Sequence, residues 1–295
     1  MGRMRSAAVD GFELDYDRSG EGPAVVLLHG WPGDRTDYRL LTPLLTDRGF
    51  EVVVPDLRGF GGSYVAGIDP TRLDSPAAVD PTQFGAAGQA RSVIGLIEEL
   101  GLDRPVLAGY DVGSRVAQAI ARTHPELIDG LVVAPPLPGI GKRVFSEQAQ
   151  REFWYQSFHR LPLIEELIDG KPDAVRSYLN HFWQHWSGPG FVPDIDHLVE
   201  VYSVPGAFTA SLNWYRGGSG AVAMSAAETA PASYDRINVP TVVLWPEFDP
   251  LFPRAWSDRL DDFFSDVRLR TVDGVGHYAP LEYPEILAEE IAGLG

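Results

Sequence analysis

Leu107-Ala108-Gly109-Tyr110-Asp111-Val112-Gly113-Ser114 places an aspartate between two glycines, where an apolar run gives way to a helical pattern. Residues 105–108 read as a buried strand and residues 114–122 as the helix that follows. Glycines two before and two after the central residue permit the strained strand-to-helix elbow that pushes a side chain into a cleft. Such an elbow normally carries a serine for acyl transfer. A carboxylate suits a different task, displacement at a saturated carbon. Its product is an enzyme ester, which water can cleave at the aspartate's own carbonyl.

Outward from the elbow, short apolar runs alternate with helical patterns. Residues 24–28, 51–54 and 131–134 are strand-like, and residues 86–100 follow a helical period with Ile94, Ile97 and Leu100 set to face a sheet. This alternation favours a mostly parallel sheet covered on both faces. Residues 12–17, after the turn at Asp10-Gly11, suggest an antiparallel edge hairpin. The alternation breaks at Pro135-Pro136. From there to about residue 230 the chain is rich in aromatics and helical patterns, without a convincing β-branched run. Strand character resumes at 241–245 and 269–272, and 284–294 reads as a closing helix. The expected division is a core in two parts, 1–135 and 231–295, with a helical insertion at 136–230. Gly217-Gly218-Ser219-Gly220 reads as a flexible connection leaving that insertion.

At 295 residues the chain can bury a sizeable core. A formal charge of −17 opposes nucleic acid and anionic membranes as partners. With no cysteine, neither disulfides nor thiolate metal sites are available. Met1 to Val9 has no apolar stretch resembling a signal peptide, and no window approaches the roughly 18 apolar residues that span a bilayer. A soluble, cytoplasmic protein is the plain expectation, as monomer or homodimer.

Four segments just past strand ends converge on one crevice, as parallel sheets arrange them. They are His29-Gly30-Trp31-Pro32-Gly33, the elbow at Asp111, Trp245-Pro246-Glu247-Phe248-Asp249, and Gly274-Val275-Gly276-His277-Tyr278. With Asp56-Leu57-Arg58-Gly59-Phe60-Gly61-Gly62-Ser63, Trp154-Tyr155-Gln156-Ser157-Phe158-His159 and Asn213-Trp214-Tyr215-Arg216, they make the chain recognisable. It resembles the α/β-hydrolase fold and, within it, the epoxide hydrolases of the aspartate-nucleophile group. The likeness runs from about Gly11 to the C-terminus. The core motifs are shared with dehalogenases; the pair of cap tyrosines points to epoxides.

The resemblance implies a role for each residue. Asp111 attacks a ring carbon of a small-molecule epoxide, and Tyr155 and Tyr215 donate to the departing oxygen. His277 activates a water, oriented by Asp249. The amides of Trp31 and Val112 hold the developing oxyanion. A cis bond before Pro32 is also implied. Opening an epoxide generates an alkoxide, a poor leaving group, and phenols with a pKa near ~10 stay protonated and can donate to it. Trp31, Trp154, Phe158 and Trp214 are the aromatics expected around a largely apolar substrate. No cofactor or metal is called for. The product is a vicinal diol.

Rival readings remain. Glu247 competes with Asp249, and the family's pattern favours Asp249. Tyr178 and Tyr202 compete with Tyr155. His181 and His185 stand four apart without the glutamate of a zinc motif. The alternative activity is a haloalkane or haloacid dehalogenase using the same triad. Haloalkane dehalogenases usually carry tryptophan where Val112 stands, and fluoroacetate dehalogenases carry arginines one and four residues after the nucleophile, of which only Arg115 is kept. Arg115 itself reads as support for the nucleophile's helix.

Overall fold

Chain direction and burial show how the apolar runs assemble. The structure, a computed structural model, describes residues 4–64, 79–192 and 194–294. Met1 to Arg3, part of the stretch read for a leader, lie outside these. β1 (Met4–Arg5) and β2 (Asp15–Ser19) pair antiparallel at one edge. β3 (Ala24–Leu28) is buried at every residue. It is followed by α1 (Leu41–Thr46), β4 (Glu51–Pro55), α2 (Ala86–Leu100), β5 (Val106–Gly109), α3 (Asp111–Thr123) and β6 (Gly130–Val133). Helices then take over: α4 (Glu147–Glu152), α5 (Trp154–Phe158), α6 (Leu163–Ile168), α7 (Pro172–Trp186), α8 (Asp196–Tyr202), α9 (Ala207–Ser211), α10 (Asn213–Arg216) and α11 (Ala221–Ala226). β7 (Thr241–Pro246), β8 (Val267–Val272), α12 (Ala279–Glu282) and α13 (Pro284–Ala292) complete the chain.

The eight strands form one sheet in the order β1-β2-β4-β3-β5-β6-β7-β8, parallel except at β1 and β2. From β3 the chain moves outward to β4, then returns to the other side of β3 with β5. That reversal opens a crevice beyond the C-terminal ends of β3 and β5, the place where open α/β sheets bind ligands. The valine- and leucine-rich sequences of β3, β5, β6 and β7 are buried throughout because helices cover both faces. Among the described residues, no helix is long and apolar enough to cross a membrane.

Three local expectations need correction. On α2 the buried stripe is Val93, Leu96 and Ile97, while Ile94 and Leu100 are half-buried. The helix is rotated by about one residue relative to the expected face. The expected antiparallel edge hairpin forms about Asp10-Gly11, but Phe12 joins it through an isolated bridge to Val9, so the regular strand starts at Asp15 rather than at residue 12. Gly217 to Gly220 does not leave the insertion but turns between α10 and α11, with Ser219 Oγ accepting from Ala86 N at 3.0 Å. It is a packed turn.

Candidate active site

The elbow is tight. Asp111 adopts φ of 48°, a left-handed conformation that costs a non-glycine residue energy, and α3 starts directly on it. The glycines answer steric demands. A Cβ on Gly113 would lie 1.9 Å from Leu28 O, and one on Gly30 would lie 2.7 Å from the Cβ of Asp111. α3 therefore packs directly on the end of β3, which brings the loop after His29 against the carboxylate. Asp111 N donates to Pro135 O at 3.0 Å, tying the elbow to the chain beyond β6.

Each oxygen of Asp111 faces a different group. Oδ1 accepts from Trp31 N at 2.9 Å, and Oδ2 lies 3.5 Å from His277 Nε2. The Trp31-Pro32 bond is cis. Val112 lies in the first turn of α3, where amides lack intrahelical acceptors, and lines the same cavity as Asp111. His29, fully buried, accepts from Leu57 N through Nε2 at 3.0 Å and contacts Gly30 O through Nδ1 at 2.9 Å. Burial lowers its pKa to about 4, so it serves as a neutral strut of this loop. Asp56 continues the support, accepting from Arg35 N and Gly62 N.

His277 is oriented by Asp249, whose Oδ2 lies 2.8 Å from Nδ1, while Oδ1 accepts from Leu251 N at 2.9 Å. Glu247, the competing acid, is instead exposed and accepts from Gly274 N. Burial alone would lower the pKa of His277, but the carboxylates of Asp249 and Asp111 outweigh it and raise the value to about 10. The resting imidazole is therefore an imidazolium between two carboxylates. Its Nε2 contacts Asp111 Oδ2 more loosely, at 3.5 Å, than Nδ1 contacts Asp249.

Above the carboxylate, the inserted helices close the crevice with aromatic rings. Asp111, Val112, Tyr155, Gln156, Trp214, Tyr215, Arg115, Pro136 and Phe252 are among the residues lining one small cavity of about 10 Å³. Tyr155 stacks on Trp31 with centroids 5.8 Å apart, and Tyr215 meets both rings edge-on. Burial first, then negative charge nearby, raises both phenols well above their ordinary pKa, so both keep their protons. The other candidate tyrosines are engaged elsewhere. Tyr178 Oη contacts His159 Nε2 at 3.0 Å, and Tyr202 Oη donates to Gly33 O at 2.9 Å.

Of the four aromatics expected at the substrate, Trp214 lines this cavity and Trp31 supplies its amide and ring beside it. Trp154 and Phe158 do not. Trp154 is 43% exposed and lies against Phe182 and Tyr178 in a shallow surface depression with Ile168 and His181. Phe158 is half-buried beside it. The register of α5 explains this, because its inward face carries Tyr155 and Gln156, and residues 154 and 158 flank it. Gln156, next to Tyr155 in the same motif, donates through Nε2 to Tyr155 Oη at 3.1 Å. An amide beside a candidate acid was the available signal. Arg115 also lines the cavity; one of its N–H groups donates to Leu137 O at 3.1 Å. His181 and His185 stack with centroids 6.1 Å apart, neither lines this cavity, and His185 pairs with Glu152.

A family model described as the alpha/beta hydrolase fold matches residues 23–284. A soluble epoxide hydrolase of Corynebacterium sp. (strain C12) is 26% identical over 300 residues, covering 96% of this chain and 93% of that protein. A fluoroacetate dehalogenase of Burkholderia sp is 29% identical over 206 residues, covering 68% of this chain and 64% of that protein. Among solved structures, the ligand-free epoxide hydrolase CorEH aligns with a TM-score of 0.78 at 25% identity, covering 99% of this chain and 98% of that one.

Proposed function

The chain belongs to the α/β-hydrolase fold family, and on that premise we propose that it hydrolyses epoxides to vicinal diols through an ester on Asp111. One observation carries the reading: a carboxylate and two protonated phenols line the same small cavity. The names of relatives that match over nearly the whole chain support it.

In the proposed first step Asp111 attacks a ring carbon, and the C–O bond opens toward Tyr155 and Tyr215. A phenol gives its proton to the alkoxide. Esterification removes the negative charge of Asp111, one of the two that hold the proton on His277. The imidazolium releases that proton, which restores the phenol. Neutral Nε2 then takes a proton from water, and the hydroxide attacks the ester carbonyl while the amides of Trp31 and Val112 hold the oxyanion. Collapse expels the diol as its alkoxide, which takes the carboxyl proton, leaving Asp111 ionised and His277 protonated. The loss of one charge thus converts His277 from a cation into a base.

The organohalide reading draws support from the Burkholderia relative. Halide departs without needing a proton, however, so it gives the two phenols no work. A panel of epoxides and organohalides, run on wild type and Tyr215→Phe, separates the readings. Diol formation should fall about 100-fold in the variant, the scale for losing one donor at a developing oxyanion. Halide release with no diol from any epoxide would overturn the proposal.

A further inference from the structure

The hydrogen bonds around Gln156 fix a direction that the reaction requires. Its Oε1 accepts from Val222 N at 3.0 Å. A backbone N–H can only donate, so this bond decides which end of the amide is oxygen. Val222 stands in the first turn of α11, where amides have no intrahelical acceptor, and the side chain therefore satisfies an otherwise orphaned donor. Gly220 leaves room for the oxygen, because a Cβ there would sit 2.7 Å from Oε1. The amide nitrogen is consequently held toward Tyr155, donating to its Oη at 3.1 Å.

A phenol has one proton. With its oxygen receiving from Gln156, the Tyr155 hydroxyl directs its own hydrogen elsewhere, and the groups that share its cavity are Tyr215, with which it also hydrogen-bonds, and Asp111. We propose that Gln156 is a positioning residue that turns the proton of Tyr155 into the cavity and supports its oxygen as the proton moves to the opening epoxide. This assignment rests on the epoxide reading above. The amide bond also opposes the rise in the phenol's pKa that burial and Asp111 impose, making Tyr155 a better donor than burial alone allows. Gln156 is buried, and its remaining contacts are those that hold α11.

Gln156→Glu preserves shape and leaves an oxygen to accept from Val222 N, but it replaces the donor facing Tyr155 with an acceptor. Near neutral pH the introduced carboxylate should capture the Tyr155 proton and turn it away from the cavity. Rapid-quench measurement of ester formation from styrene oxide should show a loss of about 100-fold in the rate, with little change in KM. Lowering the pH through the introduced carboxyl's pKa supplies an O–H donor again, so the deficit relative to wild type should shrink. A merely structural role would leave the deficit independent of pH, and that result, or a wild-type rate at neutral pH, would overturn the assignment. Should this variant fail to fold, Gln156→Met carries the test. It removes the donor without adding an acceptor and should slow ester formation about tenfold, the scale of one lost hydrogen bond; no slowing would overturn the assignment. A wild type that opens no epoxide defeats the epoxide reading and this assignment together, an outcome distinct from an unimpaired variant of an active enzyme.

Discussion

Nε2 of His277 stands 3.5 Å from Oδ2 of Asp111, while its Nδ1 is held by Asp249 at 2.8 Å. The longer contact holds the carboxylate less tightly on that side, and Asp249 fixes the direction of the imidazole. In the proposed mechanism the pair is used in sequence: the carboxylate acts first, and the imidazole acts on what the carboxylate has become.

His277→Gln separates the two steps. Ring opening needs only Asp111 and the phenols, so the variant should still form the ester, and should stall there. Steady-state turnover should fall by about 10²–10⁴, the usual contribution of a general base. Intact-protein mass spectrometry should find one equivalent of substrate attached to Asp111. A variant that neither turns over nor acquires mass would contradict this order.

The same histidine makes stability depend on pH. Its folded pKa is raised to about 10, above the roughly 6.5 of an unfolded chain. The folded state thus binds this proton more tightly. Its contribution is fully present below about pH 6.5 and is lost progressively as pH rises through 10. The melting temperature of wild type should decline across that window more steeply than that of His277→Gln. Parallel curves would show that no proton is held there.

Gly113→Ala tests the elbow's packing. The added Cβ would meet Leu28 O at 1.9 Å, a backbone atom of a central strand that cannot move aside cheaply. Overpacking of this kind typically costs about 1–3 kcal/mol. Denaturant unfolding should report a loss of that size, with turnover reduced as well because the carboxylate rides on the same backbone. An unchanged midpoint would show that the strand and helix have freedom to separate.

Much of this was legible in the sequence. Gly109, Asp111 and Gly113 announce the elbow because steric conflict leaves few other residues tolerable there, and the strand-and-helix alternation around it gives the sheet. The α/β-hydrolase expectation is met by the family match and by the observed topology. Less legible were the features that depend on rotation and loop direction. A short motif such as that of α5 does not reveal which residues face inward, so Trp154 and Phe158 were expected at the substrate while Gln156 went without a role. The inward face of α2 was off by about a residue for the same reason. Glu247 and Asp249 occupy one loop, and spacing could not separate them. Only the path of that loop sends one carboxylate to Gly274 and the other to His277.

A single turnover in ¹⁸O-enriched water, with enzyme in excess over an epoxide, probes the proposed ester most directly. In the proposed mechanism water attacks the carbonyl of Asp111, so the peptide containing that residue should gain the heavy oxygen while the first diol released stays unlabelled. Heavy oxygen in the first diol, with an unlabelled Asp111 peptide, would mean that water reached the epoxide carbon itself and that no ester formed.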